Sequence, residues 1–158
     1  MMNLARLTAG LLLTVSLGLG VAGCGESDPK NENPNVAAKA FVGTWLDNRD
    51  PAVGNRNTDE TKTRSKLVIN EDGTWELSFT DEKGAAAEAD QKASGTWKMS
   101  DGLVAVFEST SNTVTKPELA GMVPTALTRM LKAGELPGIT KEQVATPTSE
   151  GLRWYVRQ

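Results

Sequence analysis

Short runs of alternating polar and apolar residues, separated by Gly- and Asp-containing turns, mark this chain of 158 residues as mainly β. The tripeptide Gly-Thr-Trp recurs at Gly43, Gly73 and Gly95, each time at or inside such a run. One stretch alone has helical spacing. These three observations predict an antiparallel sheet with one short inserted helix.

The elements follow in order. Phe41 to Leu46 is the first strand. Ser65 to Asn70 passes through Glu71-Asp72-Gly73 into Thr74 to Thr80, a hairpin. In its second arm Trp75, Leu77 and Phe79 alternate with Thr74, Glu76, Ser78 and Thr80, so one face is buried and the other wet. Lys83 to Gln91, with its alanines, reads as a loop or a brief helical turn. Ser94 to Met99 and Leu103 to Glu108 form a second hairpin about Ser100-Asp101-Gly102, where glycine supplies the positive φ of a tight turn. Over Pro124–Ala133, Val123, Leu127, Met130 and Leu131 follow i, i+4, i+7, i+8. Pro124 suits a first helical turn and Gly134 a C-terminal stop. This helix is expected to plug or cover one end of the sheet. Gln143 to Thr146 and Leu152 to Arg157 close the chain; in the last, Leu152, Trp154 and Val156 oppose Arg153, Tyr155 and Arg157.

The repeat spacings, 30 and 22 residues, are unequal, which excludes a regular solenoid. Glycine gives a turn or close backbone approach, threonine suits an exposed strand position, and tryptophan brings a large apolar area. With Gly43 and Trp45 opening the first strand, the chain resembles the lipocalin-like (calycin) barrels of bacterial envelope lipoproteins. Those barrels open on Gly-x-Trp and set a basic residue of the last strand against that tryptophan. The resemblance implies a small antiparallel β-barrel closed by Gly43, Trp45 and either Arg153 or Arg157, through a cation–π contact of about 0.5–2 kcal/mol. An open antiparallel sheet or sandwich is the alternative. The inserted helix departs from the plain eight-stranded form.

The N-terminus has a separate logic. Arg6 and the amino terminus precede an uncharged, leucine-rich run from Leu7 to Val21, ending in Val21-Ala22-Gly23-Cys24. This resembles the signal peptide and lipobox of bacterial lipoproteins. The resemblance implies cleavage after residue 23, diacylglycerol on the Cys24 sulfur and a membrane partner through that lipid. One acyl chain holds a protein marginally and two or more hold it firmly, at about 0.8 kcal/mol per buried CH₂. A transmembrane helix fits less well: the run barely reaches the ~20 apolar residues a span needs and is broken by glycines. A disulfide has no second cysteine to use. Gly25, in place of an aspartate retention signal, points to the outer membrane in a two-membrane host. Residues 24–40 then read as a polar tether and 41–158 as one domain.

Composition narrows the chemistry. Removing residues 1–23 takes away only Arg6, leaving 16 basic against 20 acidic side chains. No basic nucleic-acid surface is indicated. The chain has no histidine, which rules out Ser-His-Asp and Cys-His catalysis and histidine-ligated metals. We therefore expect no enzyme, no catalytic residue, no metal and no cofactor. The oxygen-rich stretch from Asp47 through Asn48, Asp50, Asn55, Asn57, Asp59 and Glu60 lacks the spacing of a calcium loop and contains Pro51 and two arginines. It reads as a solvated loop. Glu76 and Glu108 fall on exposed strand positions, which does not suit an acid/base pair.

Trp45, Trp75, Trp97 and Trp154 either line a ligand cavity or are core. Two functions follow. A filled core suits a structural or regulatory envelope protein that touches other proteins; a dry cavity of a few hundred Å³ suits a carrier of a small apolar ligand.

Overall fold

In the computed structural model, residues 34–158 are described apart from 59, 60, 102 and 150. The signal segment 1–23, the lipobox and residues 24–33 of the tether lie outside the described residues. So do Asp59 and Glu60.

The protein is mainly β. Helix α1 (Pro34–Phe41) leads into β1 (Gly43–Asp47), followed by β2 (Arg64–Ile69), β3 (Thr74–Thr80) and the two-residue β4 (Ala86–Ala87). Then come β5 (Ala93–Ser100), β6 (Val104–Asn112), helix α2 (Pro117–Ala120), β7 (Ala126–Leu127), β8 (Arg129–Leu131), β9 (Gln143–Thr148) and β10 (Gly151–Arg157). The strand order is β7-β6-β5-β3-β2-β1-β10-β9-β8, every pairing antiparallel, with β4 joined to the side of β3.

The two ends of this path are one piece of chain. β7 pairs with β6, β8 pairs with β9, and only Thr128 lies between them, its amide donating to the Ala145 carbonyl at 3.0 Å. The 126–131 segment thus serves as one irregular stave that joins both edges, and the sheet rolls into a nearly closed barrel. Near closure removes most of the exposed edge that an open sheet would offer for aggregation.

The register sorts the side chains. Trp45 faces Leu67, Leu67 faces Leu77, Leu77 faces Ala93, and Trp97 faces Phe107. On the other side Asp47 faces Tyr155 and Tyr155 faces Val144. These positions point inward. Trp45, Leu67, Ile69, Trp75, Leu77, Phe79, Phe107, Leu127, Val144 and Tyr155 join one buried cluster. Trp75 and Phe107 meet edge to face at 5.5 Å between centroids. At Gly95, where the β5–β6 register slips, a Cβ would sit 1.8 Å from the Glu108 carbonyl oxygen, so only glycine fits.

The antiparallel meander puts α1, the 70–73 turn, the β5–β6 turn, the residue before β9 (Glu142) and Arg157 at one end. The opposite end holds β4, α2 and the β9–β10 turn; the long β1–β2 connection leaves from there and packs against the β8–β9 connection, where Thr140 Oγ1 donates to the Ala52 carbonyl at 3.1 Å and Gln143 Nε2 to the Val53 carbonyl. Leu119 and Met122, in and just after α2, are buried in the core cluster and plug that far end.

Two expectations are corrected. The helix expected over 124–133 is absent; β7 and β8 occupy the segment instead. Leu127 and Met130 both pack toward the core because the break at Thr128 shifts the strand parity by one. Their helix-like spacing comes from that irregularity, and tertiary pairing overrides local pattern. The expected tether is shorter than residues 24–40, because Pro34–Phe41 is α-helical.

Candidate functional site

Gly43, Trp45 and Arg157 converge at the α1 end. Trp45 and Arg157 are direct cross-strand partners, and the Arg157 guanidinium carbon lies 4.2 Å from the Trp45 ring centroid. Two of its nitrogens also donate to backbone carbonyls, Nη1 to Val42 at 2.8 Å and Nη2 to Ala40 at 2.6 Å, while Nε pairs with Glu142. The cation therefore satisfies carbonyls at the C-terminus of α1, where a positive charge also suits the helix dipole. Trp45 Nε1 donates to the Phe41 carbonyl at 2.8 Å and fixes the same turn. Gly43 makes room for this arrangement: at φ +140°, a Cβ there would lie 2.6 Å from Arg157 Nη1.

Arg153 sits elsewhere. It points inward near the far end, where its Nη1 is 3.0 Å from Asp47 Oδ2. Asp47 is fully buried and also pairs with Arg49 at 3.0 Å. Asn57 Nδ2 donates to Asp47 Oδ1 and, at 2.8 Å, to the Trp154 carbonyl. Arg49 reaches on to Thr61 Oγ1 at 2.8 Å and the Thr63 carbonyl at 3.2 Å. The loop expected to be solvated is thus fastened at its root. Asp47 and Asn48 are buried because two arginines and an asparagine supply the hydrogen bonds a buried carboxylate requires. Among the described residues no group of three acidic, His or Cys side chains could hold a metal ion.

Beside Asp47, the Tyr155 hydroxyl accepts from Ser65 Oγ at 3.1 Å and donates to the Met122 carbonyl at 3.3 Å. Burial pushes its pKa up to about 12; the Asp47 charge adds to the rise, and the Ser65 hydrogen bond and Arg153 oppose it. This links β2, β10 and the α2 plug through one phenol.

The four tryptophans divide. Trp45 and Trp75 are buried core. Trp97 is half-buried on the inward face, its Nε1 donating to the Asn70 carbonyl at 2.9 Å. Trp154 is neither cavity nor core: it lies on the outward parity of β10, and Tyr155 takes the buried place. Once Arg157 is set against Trp45, the alternation of β10 forces Arg153 and Tyr155 inward and Trp154 outward. That signal is present in the sequence, but the apolar look of Leu152, Trp154 and Val156 hides it. Glu76 and Glu108 are exposed, and Glu108 pairs with Lys98 at 3.4 Å.

Three hollows of about 430, 340 and 300 Å³ open at the surface; the largest of them lies at the α1 end, where inward-facing Trp97 and Met99 meet α1 and the 70–73 turn, and core residue Phe79 lines the second. The first runs between α1 and β5, with Ala38, Val42, Trp97 and Met99 on its walls. Neither Trp45, Leu67, Trp75, Phe107 nor Tyr155 lines any of the three.

Comparison with protein-family models, curated proteins and solved structures finds no match to this chain. The geometry itself defines a nearly closed antiparallel β-barrel whose inward positions carry bulky side chains.

Proposed function

We propose that this protein is a lipid-anchored envelope lipoprotein whose barrel is a structural or regulatory interaction module. It works through its outer surface. The observation that carries this reading is the occupancy of the barrel. Trp45, Leu67, Trp75, Leu77 and Tyr155 are each no more than 1 % exposed, and they fill the space where a lipocalin-like carrier would hold its ligand. The far end is also plugged, by Leu119 and Met122. The anchor half of the reading rests on Val21-Ala22-Gly23-Cys24 at the end of an uncharged leucine-rich run. Gly25 favours the outer membrane in a two-membrane host.

The two halves are tested separately. Native mass spectrometry of protein gently extracted from its host is expected to show lipid on Cys24 and no retained small apolar metabolite; a stoichiometric metabolite would turn the reading into a carrier. Cys24→Ser is expected to move the protein from the membrane fraction to the soluble one. Its retention on membranes would defeat the anchor.

A further inference from the structure

The outward positions of the strands are not alike around the barrel. On β10, β1 and β2, Val156, Leu46 and Lys66 stand side by side in one cross-strand row, with Ser78 of β3 next in line. Arg64, half-buried, lies on the same face two residues before Lys66 and opposite Thr80. Trp154 and the exposed Leu152 continue the outward row of β10 from Val156. Beside Arg64 and Lys66 lie the hollows of about 300 and 340 Å³, which adjoin at Lys66, Thr80 and Gly84 and so make one trough. Leu46 lines it on one side and the 81–84 turn on the other.

The trough is cationic on a chain that is acidic overall. Arg64, Lys66, Lys83 and Lys92 border it, against Asp81, Glu82 and Glu88. Two of those carboxylates are already engaged. Glu88 pairs with Lys116 at 2.6 Å, and Asp81 Oδ1 accepts from the amides of Lys83 and Ala85 at 2.8 and 2.9 Å. Arg64 and Lys66 have no such partner: among the described residues neither makes an ion pair or a side-chain hydrogen bond, and Arg64 Nε is buried without an acceptor. A half-buried guanidinium left unmet is costly, and a carboxylate matches its fork. Arginine and tryptophan beside aliphatic side chains is also the composition that protein interfaces favour. An anionic leaflet fits less well, because acids stand among these cations where headgroup binding calls for a polybasic cluster.

We propose that the outer face of β10, β1 and β2, with the trough beside the 81–84 turn, is the docking surface of the module, and that it takes an acidic segment of a partner protein carrying apolar side chains. Carboxylates meet Arg64 and Lys66, and an apolar side chain packs on Leu46 and Val156. This rests on the interaction-module reading and gives it a surface.

The test has two arms. In the first, the full lipidated chain in detergent micelles is titrated with a short synthetic peptide of glutamate and glycine bearing one leucine and one phenylalanine, and with its lysine counterpart. The acidic peptide is expected to shift the amide NMR signals of 46, 64–66, 81–84 and 156 saturably, and less so at high salt; the lysine peptide is not. Arg64→Gln/Lys66→Gln is expected to weaken binding on the order of tenfold at an unchanged melting temperature, since neither side chain is bonded within the fold. Lys98→Gln, on β5, leaves binding unchanged. Shifts elsewhere on the barrel, no saturable shift, or affinity that survives the double substitution overturns the proposal. So does binding to phosphatidylglycerol vesicles, but not to the peptide, that the double substitution abolishes; the trough is then a headgroup site. In the second arm, photoreactive benzoylphenylalanine is placed in the host at outward positions on each strand, Ser78 and Glu108 among them. A protein adduct from Ser78 that Arg64→Gln/Lys66→Gln abolishes is expected. Adducts from Glu108 and not Ser78 overturn this surface and leave the module reading standing. No adduct from any position overturns that reading and the docking with it.

Discussion

At the scale of single residues, stability concentrates in a few inward side chains. Trp45 is fully buried, covers the Arg157 cation and holds the Phe41 carbonyl. Trp45→Ala is expected to cost about 3–5 kcal/mol, the range for a buried aromatic truncation, read as a lower melting temperature. Asp47→Ala leaves the Arg49 and Arg153 cations without their shared buried counter-charge, a loss of about 3–5 kcal/mol by chemical denaturation. Tyr155 gives a pH signature. Its folded-state pKa of about 12 exceeds the unfolded value near 10, so the folded chain holds the phenolic proton more tightly. Its contribution is complete below pH 10 and is lost between about 10 and 12, at up to about 1.4 kcal/mol per pH unit. Tyr155→Phe should flatten that part of the stability profile, and an unchanged slope would contradict the assignment.

At the scale of elements, α1 depends on a residue from the other end of the chain. Arg157→Met keeps a long apolar stem over Trp45 but removes the donors to Ala40 and Val42. A loss of about 1.5–3 kcal/mol is expected, with faster amide exchange over 34–42. Arg153→Met, which disturbs Asp47 instead, should leave α1 exchange unchanged. This dependence explains what could be read from the sequence. Strands β2, β3, β5 and β6 were legible because their alternation and turn residues agree locally. Helix α1 was not, since the composition around it is polar and its holding contact comes from 115 residues away. β7 and β8 were misread as a helix because Leu127 and Met130 keep a helix-like spacing that a strand break also produces. Likewise Gly43, Trp45 and Arg157 could be named as a closing set from Gly-x-Trp and a basic last strand, but choosing Arg157 over Arg153 required the register. The Asp47 cluster left no mark beyond a run of polar residues. Burial of a charge is decided by partners brought in from β10 and the 57–63 loop.

At the scale of the whole molecule, the meander gives the barrel two unlike ends. One carries α1 and the exposed Leu103; the other is plugged by Leu119 and Met122 and braced by the Asp47 ion pairs. Between them the interior is taken up by aromatic and branched side chains. A barrel of this width holds either a small ligand or its own side chains. Here the side chains occupy it, which supports a module that works by contact. The most direct measurement is a titration of the purified chain with a fluorescent fatty acid, followed through tryptophan emission. The filled barrel predicts no saturable quenching of the buried Trp45 and Trp75. Saturable one-to-one quenching, abolished by substitutions at inward positions, would contradict it.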